Sequence, residues 1–370
     1  MIPLCRPYLP KMKKLQKKFE EVLDSGMLTN SKFVQEFEND CSKFLGVKNT
    51  VAVSSGTSAL ILALKCLGIK GEVILPSFTF TSDSLSLLWL GLKPVFVDID
   101  PQTLNINPDL IEKEITSKTS CILATHVFGN PCEIDKIQKI AKKHNLKVIY
   151  DAAHAFGSKY KNKSVVKFGD ASIISFTPTK IITTGEGGLV VVKNKNLVRM
   201  LKLGRNNGDS FNRKEEFLGI TARMDEFSAI LGIEGLKIIK ENLRKRLKIV
   251  SLYKNKLGNV SGISFQQIKK GNFSDYKDFV IIVDSKKYGI TRDNLLKNLK
   301  KNGIECKAYF YPALHQKIVY KKYLTSALPV TDFISDNIIS IPLYSHMPED
   351  SVIKICSIIK SLSKKYDNKK

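Results

Sequence analysis

Residues 50–75 read TVAVSSGTSALILALKCLGIKGEVIL, and their punctuation decides the fold class. Thr50 to Val53 and Glu72 to Leu75 are short apolar runs bounded by turn residues, while Ser58 to Leu67 between them carries apolar side chains at helical spacing. Strand, helix and strand in succession are the alternation of a doubly wound α/β sheet. The same kind of run recurs at Pro94 to Val97, Cys121 to His126, Lys147 to Tyr150, Ser172 to Phe176 and Leu189 to Val192, with a second helical segment at Cys132 to His144. The pattern predicts an α/β protein: seven buried strands in a mostly parallel sheet, with helices on both faces.

On the N-terminal side, Met12, Leu15, Phe19, Val22 and Leu23 recur at helical spacing and stop at Gly26, so an amphipathic helix precedes the sheet. On the other side a long helix from about Met224 runs into the charged segment Lys240 to Lys248. The remainder predicts a smaller α+β unit. Its strands fall near Phe279 to Val283 and Cys306 to Phe310, and its helices near Arg292 to Lys300 and Ser351 to Leu362.

The 370 residues contain 59 Lys and Arg against 35 Asp and Glu, a formal charge of +24, and 43% apolar residues, enough for a substantial core. No window approaches the roughly 18 consecutive apolar residues of a membrane span. The lysines near the N-terminus lead into Glu20, Glu21 and Asp24 rather than an apolar run, so no cleaved secretion signal is expected. Seven widely spaced cysteines without a C-x-x-C pair argue against a disulfide framework or a structural zinc site, and a reducing cytoplasm is the expected compartment. A basic chain can bind nucleic acid. Here the lysines are scattered from Lys11 to Lys370 with no RNA or zinc-finger motif, so a solvated surface is the simpler account, and a positive field that draws in an anionic substrate survives as a use.

Three groups can carry chemistry. Ser54 to Ser58 closes the first strand and opens a helix; Gly56 and Thr57 there suit a phosphate at a helix N-terminus, although Ser and Thr also cap helices for structural reasons. Asp151 in VIYDAAH stands at the carboxyl end of a strand, where open α/β sheets bind ligands; a helix N-cap is the plain alternative. Lys180, in the turn after Ser172 to Phe176, becomes a nucleophile if desolvated, and otherwise is one surface lysine among many. Together, a phosphate cup, a strand-end Asp and a Lys are the anchors of pyridoxal phosphate: the Asp keeps the pyridine nitrogen protonated and the Lys forms the Schiff base.

The chain resembles the sugar aminotransferases of the DegT/DnrJ/EryC1/StrS group over nearly its whole length. The likeness runs through SGMLTNSKFVQEFE, VAVSSGTSALILAL, GEVILPSFTF, KPVFVDIDPQTLNI, HVFGNPC, VIYDAAHAFGS, SFTPTKIITTGEGGLV, ARMDEFSAILG and YPALH. The resemblance implies a fold-type-I transferase using pyridoxal 5'-phosphate to aminate a keto sugar linked to a nucleoside diphosphate, with glutamate as the expected donor, in surface-polysaccharide or amino-sugar biosynthesis. It implies residues 1–235 as the cofactor-binding domain with its helical arm, residues 236–370 as the small domain, and a homodimer with shared sites. By the same resemblance Lys180 would carry the cofactor, Asp151 would pair with the pyridinium, and Ser175 with the backbone of Gly56 and Thr57 would hold the phosphate. His154 would lie near the ring's 3-hydroxyl, Phe80 would stack on the ring, and Tyr311 and His315 would lie near the sugar nucleotide.

One position departs from the pattern: the family often has Asn two residues before the Arg of its RM motif, reaching the neighbouring subunit's phosphate, and Thr221 stands there, before Arg223. His126, His144 and His346 show no metal-binding spacing. Two other readings are open. The family's dehydratases put His in place of the lysine, so Lys180 speaks against that branch. A non-catalytic sensor or nucleic-acid-binding protein could keep the fold, but intact Lys180, Asp151 and Ser175 argue for catalysis. C-4 of a 4-keto-6-deoxy sugar is the expected position of amination.

Overall fold

The computed structural model describes residues 1–209 and 215–363, so the last seven residues of the expected C-terminal domain lie outside it. All seven expected strands form, with ends shifted by at most two residues: β1 Thr50–Val53, β2 Glu72–Pro76, β3 Lys93–Val97, β4 Thr119–Thr125, β5 Lys147–Asp151, β6 Ala171–Ser175 and β7 Gly188–Val192. They make one sheet in the order β1-β7-β6-β5-β4-β2-β3. Only β7 runs against its neighbours, pairing antiparallel with both β1 and β6.

Alternate residues of each strand belong to two apolar cores, as a two-residue side-chain period requires of a sheet covered on both faces. Ala52, Ile74, Ile122, Val148 and Leu189 pack with α1 (Met12–Ser25) and α2 (Lys32–Leu45). Val51, Val73, Leu123, Ile149 and Val190 pack with α3 (Gly56–Cys66) and α4 (Thr81–Trp89). The N-terminal helix ends as its sequence predicts, with Gly26 in the left-handed conformation at φ 66°.

The long helix α5, Glu226–Leu257, begins in the first core with Ala229, Ile230 and Ile233 and ends in a third with Val250, Tyr253 and Leu257. It runs unbroken through the expected boundary at residue 235. Around its far end lies a second, antiparallel sheet of β8 Ile263–Phe265, β9 Phe279–Val283 and β10 Ile338–Ile341. The two faces of β9 divide again: Phe279, Ile281 and Val283 face the third core, while Val280 and Ile282 pack with Phe78, Phe128 and Phe310 in a fourth. That fourth core seats the small sheet on loops at the carboxyl edge of the large one.

The expected strand at Cys306 to Phe310 is a correction. Only Lys307 bridges the sheet, at Ser340, and the chain then turns so that Phe310 enters the fourth core. No helix among the described residues is long and apolar enough to cross a membrane.

Candidate active site

Strands β1, β4, β5 and β6 point the same way, so Val53, Thr125, Asp151 and Ser175 end on one edge of the sheet. A cavity of about 300 Å³ opens there, bounded on its far side by the small sheet's loops.

One wall is the start of α3. Ser55 is its N-cap and takes the Ser58 amide on its hydroxyl at 3.1 Å, with the Ser58 hydroxyl in turn accepting from the Ser55 amide at 3.0 Å. This reciprocal cap leaves the amides of Gly56 and Thr57 at the open helix end, both lining the cavity. Ser175 stands opposite, at the tip of β6. A Cβ on Gly56 would fall 2.9 Å from the Ser175 Cβ, and one on Gly188 would fall 2.3 Å from the Ser55 carbonyl oxygen, so the cradle closes only around glycines. Structural capping therefore does not compete with anion binding here, because the cap leaves the Gly56 and Thr57 amides open to the cavity.

Asp151 and Lys180 form the floor. Asp151 is 3% exposed and caps no helix; its Oδ1 accepts the Ala153 amide at 2.7 Å in the turn that follows. Lys180 is partly buried, and desolvation, reinforced by repulsion from Lys277, brings its amine down to about 8. The simple surface-lysine reading fails for this side chain. Beside them the buried His154 ring lies against Phe128 and Phe310 at centroid distances of 6.1 and 6.3 Å, and the two phenyl rings touch each other at 5.7 Å. Its Nδ1 accepts the Phe128 amide at 3.3 Å, and burial, then Lys180 and Lys277, hold it neutral. Phe80, 54% exposed ahead of α4, lines the mouth.

Four lining residues come from the second sheet and its loops and were not expected from sequence: Lys277, Lys307, Tyr309 and Phe310. Lys277 is buried against Asp278 at 2.9 Å, and both lysines lie over the Tyr309 ring, at 5.3 and 4.9 Å. Their cationic surplus at the mouth suits an anionic substrate.

Three expected residues do not line this cavity. Thr221 is exposed and donates to Asn207 Oδ1 at 2.8 Å, next to Arg223, which holds Asn206 Oδ1 at 2.9 Å. Tyr311 lies under the Arg292 guanidinium at 4.4 Å. His315 is buried rather than solvated: its Nδ1 is 2.7 Å from Ser77 Oγ and its Nε2 3.0 Å from Asp332.

Residues 11–360 match the model of the DegT/DnrJ/EryC1/StrS aminotransferase family. The chain belongs to this family. Among its aminotransferase relatives is the dTDP-4-amino-4,6-dideoxy-D-glucose transaminase of Escherichia coli, 36% identical over 366 residues that cover 97% of this chain and 98% of that one. The GDP-perosamine synthase of Vibrio cholerae is 31% identical over 369 residues, covering 98% and 99%. In structure the chain is similar to DesI crystallised with its TDP-sugar product, with a TM-score of 0.94 and 29% identity over 100% of this chain and 94% of that one. The fold is thus the fold-type-I transferase fold and the chain a pyridoxal-phosphate-dependent aminotransferase. The cavity fits the cofactor by its own chemistry: a desolvated amine, a buried carboxyl at a strand end and a glycine cradle that a Cβ would fill.

Proposed function

We propose that the chain transfers an amino group from glutamate to C-4 of a 4-keto-6-deoxy sugar carried on a nucleoside diphosphate, in the cytoplasm, for surface-polysaccharide or amino-sugar synthesis. The observation that carries this reading is the convergence of Lys180, Asp151, Ser175 and the Gly56 cradle on one cavity. Bound there, pyridoxal phosphate supplies an electron sink and a carrier for the amino group. Gly56, Thr57 and Ser175 hold its phosphate through two amides and a hydroxyl. Asp151 would keep the ring nitrogen protonated, Phe80 would cover a ring face and His154 would serve the 3-hydroxyl side. Lys180 would be the side chain that holds the cofactor covalently and moves a proton at its Nζ; its lowered basicity suits both tasks near neutral pH.

Lys277 and Lys307 supply positive charge for the substrate's anionic groups. We further propose that residues 1–235 and 236–370 act as the large and small domains, and that the protein is a homodimer in which the exposed Thr221 reaches the neighbour's phosphate. Tyr311 and His315 belong to the sugar-nucleotide side in this reading, Tyr311 by following the lining residues Tyr309 and Phe310, His315 through its bond to Ser77, two residues before the lining residue Thr79. The dehydratase reading is disfavoured by Lys180. Turnover with a panel of 3-keto and 4-keto nucleotide sugars, with the aminated carbon read by NMR, tests the proposal: amination at C-3 alone overturns the C-4 assignment.

A further inference from the structure

Behind Asp151 lies a second carboxyl that the reading above does not use. Asp83, in the first turn of α4, is wholly buried. Its Oδ2 accepts the hydroxyls of Thr79 at 2.6 Å and Thr125 at 2.7 Å. Thr125 sits beside Asp151 in the register of β4 and β5. The other oxygen, Oδ1, is buried and receives no donor, and Asp83 meets the carboxyl of Asp151 at hydrogen-bonding range. Two ionised carboxylates do not persist in contact in a dry interior, whereas one shared proton satisfies both.

The surroundings decide which of the two keeps the proton. Asp151 lines the cavity, accepts the Ala153 amide and faces the ammonium of Lys180. Asp83 is deeper, with both threonine hydroxyls on one oxygen and the other left to donate. The charged groups beyond are Lys277 and Asp278, which pair with each other, and the Cys132 thiol, which burial keeps neutral.

We propose that Asp83 is a positioning residue: a neutral carboxylic acid, aimed by Thr79 and Thr125, that donates a hydrogen bond to Asp151 and holds it as the anion that pairs with the cofactor's ring nitrogen. The proposal rests on the assignment of Asp151 as that partner. Burial drives Asp83 far above the usual carboxylate range, with the Asp151 charge adding to it, as this arrangement requires.

The test is the pH dependence of pyridoxal phosphate binding to the apoprotein, measured for the full chain and two variants. Asp83→Ala removes the donor, so Asp151 takes up a proton sooner and the acid limb of the binding profile moves up by about one to two pH units. Asp83→Asn keeps an N–H donor and an acceptor for the threonines, and its acid limb stays with that of the unaltered protein. The cofactor's own titration is common to all three proteins and cancels in the comparison. An unmoved limb in Asp83→Ala, or a limb in Asp83→Asn displaced as far as in Asp83→Ala, overturns the proposal. Should Asp83→Ala not fold, Asp83→Asn still decides: if the charge sat on Asp83 instead, the amide would cut turnover by orders of magnitude, as Asp151→Asn would, and would shift the acid limb as well. Absence of binding by the unaltered protein at every pH would overturn the cofactor reading itself, and the Asp83 proposal with it.

Discussion

Gly56 and Ser175 approach so closely that a methyl group on the glycine would come within 2.9 Å of the serine Cβ and 3.3 Å of its hydroxyl oxygen. The contact joins the start of α3 to the tip of β6, two elements that no local sequence signal connects. Gly56→Ala must push the helix end away from the strand or turn the hydroxyl out of the cradle. Overpacking of this kind costs about 1–3 kcal/mol, so affinity for pyridoxal phosphate is expected to fall by roughly one to two orders of magnitude. Titration of the apoprotein with cofactor, followed by absorbance, measures the loss, and circular dichroism checks that the fold is intact.

The lowered basicity of Lys180 sets a pH dependence whose sign is fixed. Burial first, and Lys277 second, favour the neutral amine, which is the form that captures the cofactor. With the amine at about 8, roughly a tenth of the chains are competent at neutral pH, against about one in 3,000 for an ordinary lysine. Covalent capture by the apoprotein should therefore quicken about tenfold per pH unit below 8 and level off above it. Stopped-flow absorbance across that range reads the profile, and Lys277→Gln should move the plateau to higher pH by removing the repelling cation.

Asp151→Asn is expected to fail in turnover more than in affinity. An amide cannot balance a pyridinium charge, while the Gly56 and Ser175 cradle remains to hold the phosphate. A loss of roughly two to four orders of magnitude in kcat is expected, with a far smaller change in cofactor retention. Steady-state kinetics beside a binding titration separates the two.

Thr221→Ala tests the shared site. Loss of one hydrogen bond to a charged phosphate costs roughly 1.5–3 kcal/mol, or about 10- to 150-fold in cofactor affinity, without unfolding the protein. Mixing Lys180→Ala subunits with Thr221→Ala subunits should restore activity, because a shared pocket collects both defects and leaves the heterodimer's other pocket whole. Unchanged activity after confirmed subunit exchange would assign Thr221 to its own turn, where it already bonds Asn207.

The large sheet was legible because each strand is buried on both faces and reads as an unbroken apolar run, as Thr50 to Val53 does. The site's anchors were legible because Gly56, Asp151, Ser175 and Lys180 stand at the ends of such strands or just past them. Helix α2 went unread although Phe33, Phe37 and Cys41 repeat every four residues, the spacing of one helical face. Cys306 to Phe310 reads as a strand, while the fourth core that pulls Phe310 inward is made by residues as distant as Phe78 and Ile338. Asp83 gave no signal, since its meaning depends on Asp151 lying 68 residues away and on hydroxyls from two other segments. Lys277 and Lys307 were lost for the opposite reason: in a chain with 59 Lys and Arg, only tertiary placement distinguishes two of them.

The assignment of Lys180 as the residue that carries the cofactor is the claim on which the rest depends. Reducing the purified, cofactor-loaded protein with borohydride and mapping the peptides by mass spectrometry tests it directly. The account predicts one pyridoxyl adduct, on Lys180, and none in Lys180→Ala with the fold retained. An adduct on any other lysine, or full turnover by Lys180→Ala, would contradict it.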